Sequence, residues 1–342
     1  MSPDSGNIRP LKVAVFGESG FVGEIVSSAV ADAGHRLTQL TGFRVEGAYH
    51  EDRSIEQSAH DWIGSHPDPA DRLTRELSGT DVLVNAAGMA EPESEEVDRL
   101  FDANAVLAAV IAQLAFDAGV PRLIHISSAA VQGRRDPLDE TDELEPLTAY
   151  GRSKAAGERV LLQRRVAVPA ELVVYRPTSV QGSSRGLTRK LVAFTSLPLV
   201  PLPGGGASPV PVCLGPAVGA VVVFLLDAVS PPAIVLQPSE GMTTRTLLDA
   251  LGDNPRYLPV PGVLAKTAVE AGYRLGRRSS RIGALSRRLD LLVNGQHQKA
   301  RALGSMGFVV PADPQAYRRL GAQVRAENQQ RAAPQAGRDQ RH

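Results

Sequence analysis

Several features that define other protein classes are missing from this sequence. Its 342 residues include one cysteine, Cys213, so no internal disulfide can form, and this fits a reducing compartment. Aromatic residues make up only 4% of the chain, so Val, Leu, Ala and Ile must build the core that a hydrophobic content of 43% allows. Basic and acidic residues each number 37, and this zero net charge gives no indication of a nucleic-acid partner.

Long apolar segments are also scarce. Residues 1–10 are polar and contain proline and glycine, so they lack the apolar core of a secretion signal. The longest apolar run, at about 217–226, is far shorter than the ~20 residues that cross a bilayer. We therefore expect a cytoplasmic protein without an integral membrane segment, and we predict no metal site.

A glycine turn follows the first apolar run, which spans residues 11–16 and is typical of a buried strand. Gly17, Gly20 and Gly23 occupy this turn, and a periodic helix continues to about residue 33. Strand, glycine turn and helix form the context of a dinucleotide-binding fingerprint, in which the backbone approaches a pyrophosphate at the helix N-terminus. The other cofactor contacts predicted in this turn are Ser19, Phe21 and Val22.

The end of the second predicted strand, at about 37–43, bears on the choice of cofactor. An acid at this point would bind the ribose of NAD, whereas an arginine would accept the 2′-phosphate of NADP. Thr41 stands in the acid's place and Arg44 follows it, so NADP(H) is favoured and NAD(H) is the alternative. The simpler interpretation of Arg44 is an ordinary loop charge. A third strand is predicted near 54–63, and its Asp61 is a candidate contact for the adenine.

Two further segments continue the pattern. A helix is predicted near 69–77, and a buried strand over 80–85 ends in the small residues Ala86, Ala87 and Gly88. Small residues let the backbone pass close to a flat ligand. We expect these three to line the cofactor.

A long helix is predicted over 93–119, with Asn104 among apolar residues. A buried asparagine needs hydrogen-bond partners, so Asn104 either holds water or backbone near the site or caps a kink. The next strand, 121–128, ends in Ser127 and Ser128. In an open parallel sheet this end is the edge where ligands bind.

Tyr150 and Lys154 are four residues apart on a predicted helix over 150–165, and such residues share one helix face. A tyrosine has a free pKa of about 10, and a neighbouring ammonium lowers it. The pair could therefore exchange a proton with a carbonyl or an alcohol. The pattern arises by chance on many helices, so its meaning depends on the strand ends described above.

The alternation of strands and helices predicts an α/β fold, a Rossmann-type doubly wound parallel sheet with a smaller C-terminal α/β substrate lobe. We predict the Rossmann domain over 1–180 and the substrate-binding lobe over 181–326. Residues 217–238 are expected to return to the Rossmann domain. The polar segment 327–342 is expected to be disordered.

These motifs together resemble the extended short-chain dehydrogenase/reductase superfamily, and in particular the NAD-dependent epimerase/dehydratase family, which acts mostly on nucleotide sugars. The resemblance covers residues 11–182 and thins towards 326. The matching positions, in order along the chain, are Gly17, Gly20, Gly23, 85–88, Asn104, 127–133, Tyr150, Lys154, Arg176 and Pro177. It implies that Tyr150 is the general acid/base, that Lys154 holds the nicotinamide ribose and lowers the pKa of Tyr150, and that Ser128 binds the reacting oxygen. It also places Arg176 and Pro177 at the cofactor.

Departures from the family pattern reduce the number of activities expected for this chain. Dehydratases of this family carry an acidic pair after the serine, whereas Ser128 is followed by Ala129 and Ala130. The arginine that binds the substrate diphosphate, expected after the 204–206 glycine turn, is absent. We therefore favour an NADPH-dependent reductase of a 4-keto-6-deoxy nucleotide sugar. The alternatives are a nucleotide-sugar 4-epimerase with tightly bound NAD, a reductase of a non-nucleotide ketone, and a non-catalytic NADP-sensing protein.

Two surface features allow more than one interpretation of the partners that this chain contacts. A basic stretch over 274–288 is either a solvated helix face or a patch for phosphate or a membrane surface. Many relatives form homodimers through a four-helix bundle, which here would use 94–118 and 149–165. The apolar residues that would allow such pairing are Val106, Val110, Leu114, Val160 and Leu161.

Overall fold

The computed structural model describes residues 9–91, 94–165, 170–276, 279–311, 313 and 315–332. The strands in this part of the chain are β1 (Lys12–Phe16), β2 (Arg36–Thr38), β3 (Val82–Asn85), β4 (Arg122–Ile126), β5 (Glu171–Arg176), β6 (Ser179–Gln181), β7 (Val200–Pro203), β8 (Val212–Leu214), β9 (Ile234–Leu236) and β10 (Tyr257–Val260). The helices are α1 (Phe21–Asp32), α2 (Ile55–Ser65), α3 (Pro67–Glu76), α4 (Val97–Phe101), α5 (Leu107–Asp117), α6 (Ala149–Arg164), α7 (Gly186–Thr195), α8 (Gly215–Asp227), α9 (Thr244–Leu251), α10 (Gly262–Gly276), α11 (Ser280–Val293), α12 (Ala302–Ser305) and α13 (Ala316–Ala332).

The main sheet has six parallel strands in the order β2-β1-β3-β4-β5-β9. Strand β1 pairs with β2 on one side and with β3 on the other, with Val13 opposite Val82. The strands that follow β1 and β2 in the chain are therefore added on the opposite side of β1. At this switch point, the carboxyl ends of β1 and β3 form a crevice where ligands bind in such sheets. The predicted fold class is confirmed.

Helices cover both faces of this sheet, and each face has its own core. Helices α1 and α8 bury residues such as Val26 and Val221 against one face. Helices α2, α3, α5 and α6 bury residues such as Trp62, Leu73 and Leu161 against the other. Strands buried on both faces need continuous apolar runs, and β1 meets this condition because four of its five residues are buried.

The predicted third strand near 54–63 is wrong, because these residues form most of helix α2. Ser54 caps this helix by accepting a hydrogen bond from the Gln57 amide at 3.1 Å. Ser58, Ala59 and Trp62 are buried on one face, which is the spacing of a helix. Strand β2 is also shorter than predicted, whereas the helix near 69–77 is confirmed as α3.

The predicted long helix over 93–119 contains a π-helical turn at Asp102–Val106 between α4 and α5. By length and composition, Val97–Asp117 could cross a membrane, with a mean hydropathy of 1.5, a property that the search for continuous apolar runs missed. However, 72% of this segment is buried inside the fold. It is therefore best explained as a core helix.

Helices α2 and α3 lie on the outer side of α5, and α2 also contacts α6. These two helices bury residues that were predicted from the sequence to form a four-helix bundle in a dimer. Val106, Val110 and Leu161 have no exposed surface, and Leu114 and Val160 are each 4% exposed. These five side chains therefore form the core of the single chain and are not available as an exposed dimer surface.

The C-terminal residues form a smaller lobe in which β7 pairs with β10 and β6 pairs with β8. Its core joins α7, α9 and α13 through residues such as Val192, Leu247 and Leu320. Helix α8 packs on α1, and β9 joins the main sheet next to β5. Helix α13 extends to Ala332, so residues 327–332 are helical although disorder was predicted there, and the rest of the predicted tail lies outside the described residues.

Candidate active site

A cleft of about 560 Å³ opens at the carboxyl edge of the sheet, between the ends of β1 and β3. The sequence-predicted residues that line it are Gly17, Ser19, Gly20, Arg44, Ala86, Ala87 and Gly88. Residues from three separate segments therefore meet at the crevice expected from the strand order. The volume is in the range of small-molecule and cofactor sites.

The glycine loop fits a dinucleotide. Gly17 has a positive φ of 90°, and a Cβ atom there would lie 2.7 Å from the Ala87 amide nitrogen. A Cβ atom on Gly23 would lie 2.0 Å from the Gly17 carbonyl oxygen, so this position requires glycine. Helix α1 begins after Gly20 without a side-chain cap, which leaves its first-turn amides available for an anion. Phe21 and Val22 belong to this first turn but do not line the cleft.

The loop after β2 brings both signs of charge to the cleft, because Arg44 and Glu46 both line it. This loop is held by Asp102, a buried residue that the sequence reasoning did not single out. The Asp102 carboxylate accepts hydrogen bonds from the backbone amides of residues 47–49 at 2.7–3.1 Å. The sequence feature that could have indicated this role is an aspartate inside an apolar helical run, because a buried carboxylate needs hydrogen-bond donors.

Asn104 clamps the loop after β3 to the helix that carries Tyr150. Its amide oxygen accepts from the Met89 amide at 3.0 Å, and its amide nitrogen donates to the Met89 carbonyl and to Ser153 Oγ, each at 3.0 Å. Gly88 lies directly above, with a φ of 148°, and a Cβ atom there would lie 2.6 Å from the Asn104 oxygen. Asn104 thus holds backbone next to the cleft, and does not itself line it.

Ser128, Tyr150 and Lys154 do not line the cleft, but a Cβ atom on the cleft residue Gly88 would lie 2.8 Å from the Lys154 ammonium nitrogen. Ser128 follows β4, and its Oγ accepts from the Ala130 amide at 3.2 Å. Thr148 caps α6 by accepting from the Gly151 amide at 3.0 Å, and this cap sets the start of the helix that presents the other two residues. The Ser128 hydroxyl lies close enough to the Tyr150 phenol to lower the pKa of that phenol. Two neighbouring hydroxyl groups of this kind are suited to binding one substrate oxygen.

The pKa of Tyr150 departs from the prediction. Burial raises it above its ordinary value of 10.0, and the hydrogen bond with Ser128 and the charge of Arg185 oppose this rise without overcoming it. Lys154 is not among the groups that shift it. The phenol therefore stays protonated near neutral pH, which is the form that donates a proton to a carbonyl.

Lys154 is 5% exposed, and its ammonium donates to the Ile126 carbonyl at 3.2 Å. Burial lowers its pKa from 10.5 to about 8, although the nearby Glu158 raises it in part. His125 on β4 lies close to this charge, and burial together with Lys154 lowers the His125 pKa well below its usual value. His125 is thus neutral, and its Nδ1 contacts the Asn85 amide nitrogen at 3.2 Å.

Three predicted cofactor residues lie elsewhere. The Asp61 carboxylate, on α2, is bound by Gln57 at 2.7 Å and Arg53 at 3.3 Å and does not line the cleft. Arg176 has no exposed surface, and its guanidinium is paired with Glu158. Pro177 is buried, and its carbonyl accepts from the Ala129 amide at 2.9 Å. Arg176 and Pro177 therefore support the segment that carries Ser128 instead of lining the cleft.

Arg185 is a site residue that the sequence reasoning missed. Its guanidinium lies 5.1 Å from the centre of the Phe21 ring, and its charge lowers the pKa of Tyr150. Its Nε is buried and has no hydrogen-bond partner among the described residues. A buried donor without a partner is suited to a ligand oxygen. The only sequence feature that could have indicated Arg185 was its position just after the turn that follows β6.

Comparison with known proteins agrees with this geometry. The family model described as "NAD dependent epimerase/dehydratase family" matches residues 13–196, more than half of the chain. A dTDP-4-dehydrorhamnose reductase from Mycolicibacterium smegmatis is 28% identical over 163 residues, which are 46% of this chain and 43% of that protein. The chain thus aligns with about half, or less, of the length of the curated relatives it matches.

Two solved structures share the fold over nearly their whole length. RMD from Pseudomonas aeruginosa, in complex with NADPH, has a TM-score of 0.60 and 17% identity, and the match covers 92% of this chain and 99% of that one. The UDP-glucose 4-epimerase from Thermus thermophilus, in complex with NAD, gives the same TM-score, identity and coverage. At this identity the likeness shows the fold, and the neighbours bind either cofactor.

Proposed function

The chain belongs to the NAD dependent epimerase/dehydratase family, and on this premise we propose that it is an NAD(P)-dependent reductase of a keto-sugar nucleotide, of the 4-keto-6-deoxy type. The observation that carries this proposal is the proximity of Ser128 to a Tyr150 phenol that burial keeps protonated, in a fold whose glycine-lined cleft suits a dinucleotide. Ala129 and Ala130 follow Ser128, so no carboxylate there serves elimination. Dehydration is therefore disfavoured.

The chain's own groups would act on the carbonyl oxygen. Tyr150, kept protonated by burial, donates its phenolic proton to that oxygen as the alcohol forms, and a proton from solvent restores the phenol. The Ser128 hydroxyl donates a hydrogen bond to the same oxygen and stabilises its developing charge. Lys154 supplies positive charge and a donor for the cofactor ribose. Bound NADPH supplies the hydride that the carbonyl carbon receives.

The cofactor proposal rests on the loop after β2. Arg44 is exposed at the cleft, where it would pair with the 2′-phosphate of NADP(H). Glu46 lines the same cleft and would repel that phosphate or bind the ribose of NAD. We propose NADP(H) and expect Arg44→Ala to weaken NADPH binding much more than NADH binding.

Arg185 supports an anionic or strongly polar substrate. The arginine expected after the glycine turn 204–206 is absent from that place, where Ala207 and Ser208 follow. Arg185, whose Nε has no partner among the described residues and whose charge lowers the pKa of Tyr150, offers a positive charge instead. We propose that it contacts the substrate, and the predicted nucleotide sugar is the class that the family favours.

One observation favours a second candidate, a nucleotide-sugar 4-epimerase with tightly held NAD. Glu46 at the cleft suits the unphosphorylated ribose of NAD. Cofactor that co-purifies with the protein separates the two candidates: tightly bound NAD supports the epimerase, and freely exchanging NADPH supports the reductase. The fold and family are those of soluble enzymes, and a cytoplasmic location remains our proposal.

The direct test is NADPH consumption with a freshly generated UDP-4-keto-6-deoxy-N-acetylhexosamine, with NADH in parallel. We expect turnover by the wild type and none by Tyr150→Phe, which should still bind NADPH because the ring remains. Arg152→Met, an exposed change on the same helix, serves as the matched control and should retain turnover. Absence of turnover in a folded wild type that binds NADPH would refute this substrate class.

A further inference from the structure

Helices α10 and α11 form an antiparallel hairpin, here called the C-terminal hairpin (262–276 and 279–293), with an unusually apolar outer surface. Among its described residues, the buried hydrophobic side chains are Val269 in α10 and Ala284 in α11. The large side chains that remain exposed are Val263 (78%), Leu264 (64%), Leu275 (60%), Ile282 (40%), Leu285 (54%) and Leu289 (42%). Few exposed leucines are expected so close together on an uncovered surface.

These apolar residues form a stripe on each helix. In α10, exposed Leu264, Ala268, Ala271 and Leu275 are separated by four, three and four residues, so they share one helix face. In α11, Ile282, Leu285 and Leu289 are separated by three and four residues and do the same. Because the helices pack against each other, the two stripes belong to one small helical unit.

The charge of the hairpin differs sharply from that of the whole chain. The sequence from 262 to 293 contains seven Lys or Arg and two Asp or Glu, a formal charge of +5 (seven minus two), in a chain whose net charge is zero. Two of the seven, Arg277 and Arg278, lie outside the described residues. Glu270 pairs with Arg134 at 2.7 Å, and Asp290 is buried against Arg134 and Arg287. The net charge of this segment is therefore positive, and Arg274 and Arg281 are exposed on it.

The hairpin also lies against the rim of the candidate active site. Arg281 pairs with Glu95 at 3.7 Å, and Glu95 belongs to the segment that continues from the cleft-lining residues Met89 and Glu91. Arg134 belongs to the loop after Ser128 and stacks on Tyr273 of the hairpin, 5.0 Å from the ring centre. Anything that binds the hairpin is therefore held near the loop that follows Ser128.

We propose that the C-terminal hairpin docks the protein on an anionic lipid surface. Apolar side chains flanked by Arg and Lys are the composition of helices that lie in the membrane interface, where the apolar face enters the headgroup region and the cations bind anionic lipids. Each basic residue near such a surface contributes about 1 kcal/mol. The hairpin supplies both components, and its docking would place the active-site rim at the membrane surface.

The test is flotation of the purified full chain with vesicles. We expect binding to vesicles made of equal parts phosphatidylcholine and phosphatidylglycerol, much weaker binding to phosphatidylcholine alone, and loss of binding at high salt. The apolar variant Leu275→Asp/Leu285→Asp and the charge variant Arg274→Glu/Arg281→Glu should each lower the vesicle partition coefficient by at least about tenfold.

Matched controls carry the same chemical changes outside the hairpin. Leu37→Asp/Val229→Asp removes two exposed apolar side chains there (39% and 89% exposed), and Arg36→Glu reverses an exposed charge. These controls should bind anionic vesicles as the wild type does. Tyr150→Phe should also bind anionic vesicles as the wild type does. The test of vesicle binding is therefore independent of the proposed reductase activity.

Three results would overturn the proposal. One is equal binding by the hairpin variants and the wild type, and another is equal binding to neutral and anionic vesicles. The third is a concentration-dependent dimer, seen by sedimentation, that the hairpin variants abolish in a wild type that does not bind vesicles; the surface would then pair two copies of the chain. Circular dichroism and NADPH binding of each variant verify that it is folded.

Discussion

The buried ion pair of Arg176 and Glu158 yields a sharp test of how the active site is supported. Neither side chain has any exposed surface. Arg176 Nε donates to both Glu158 carboxylate oxygens at 3.1 Å, its Nη2 donates to one of them at 2.7 Å, and its Nη1 donates to the Thr141 carbonyl at 2.7 Å. The Ser127 hydroxyl also donates to Glu158, so the pair lies directly beneath the segment that carries Ser128.

Replacing Arg176 by Met leaves the buried Glu158 carboxylate with the Ser127 hydroxyl and the nearby charge of Lys154. Breaking a buried pair in this way costs about 3–5 kcal/mol. Unfolding free energies of natural proteins are about 5–15 kcal/mol, so the single variant should lose about a fifth or more of its stability. The double variant Glu158→Met/Arg176→Met removes both charges and should be more stable than Arg176→Met alone.

Denaturant unfolding followed by the fluorescence of the single tryptophan, Trp62, measures this loss. Arg159→Met, an exposed arginine next to Glu158, is the control and should change stability by less than about 0.5 kcal/mol. The reasoning is refuted if Arg176→Met keeps wild-type stability but loses NADPH affinity. Arg176 would then be the cofactor contact that the sequence resemblance implied.

The remaining predictions concern the cleft and the reacting groups. Gly23→Ala should weaken NADPH binding at least about tenfold in calorimetry, because its Cβ would lie 2.0 Å from the Gly17 carbonyl oxygen; unchanged affinity would contradict the tight packing of the loop. The Lys154 pKa of about 8 lies below its ordinary 10.5, so the unfolded chain binds the proton more tightly between these values. Wild-type stability relative to Lys154→Met should therefore rise as pH increases from 8 to 10.5, and a flat difference would mean that the ammonium is not desolvated. Arg185→Gln should lower kcat/KM for the keto-sugar nucleotide at least about tenfold while NADPH affinity stays nearly constant, and an equal loss of both would place Arg185 at the cofactor.

Several features of the candidate site follow from local spacing, and the sequence could therefore predict where they lie in the fold. The turn at Gly17, Gly20 and Gly23 follows a strand and precedes a helix, so its role depends on neighbours within a few residues. Tyr150 and Lys154 are one helical turn apart and share a face once the helix forms. Parallel strands end at one edge of the sheet, so Gly88 and Ser128 were expected to lie at that edge.

The tertiary structure decided what depends on distant partners. Asp61 was misplaced because the short segment 54–63 has apolar residues that fit either a strand or a helix, and only its packing on α5 selects the helix. The pairing of Arg176 with Glu158 could not be predicted, because no spacing reveals a partner on another element. The sequence also predicted a lowered pKa for Tyr150 from its neighbour Lys154. Burial raises that pKa instead, because desolvation is a property of the assembled fold and outweighs the nearby charge.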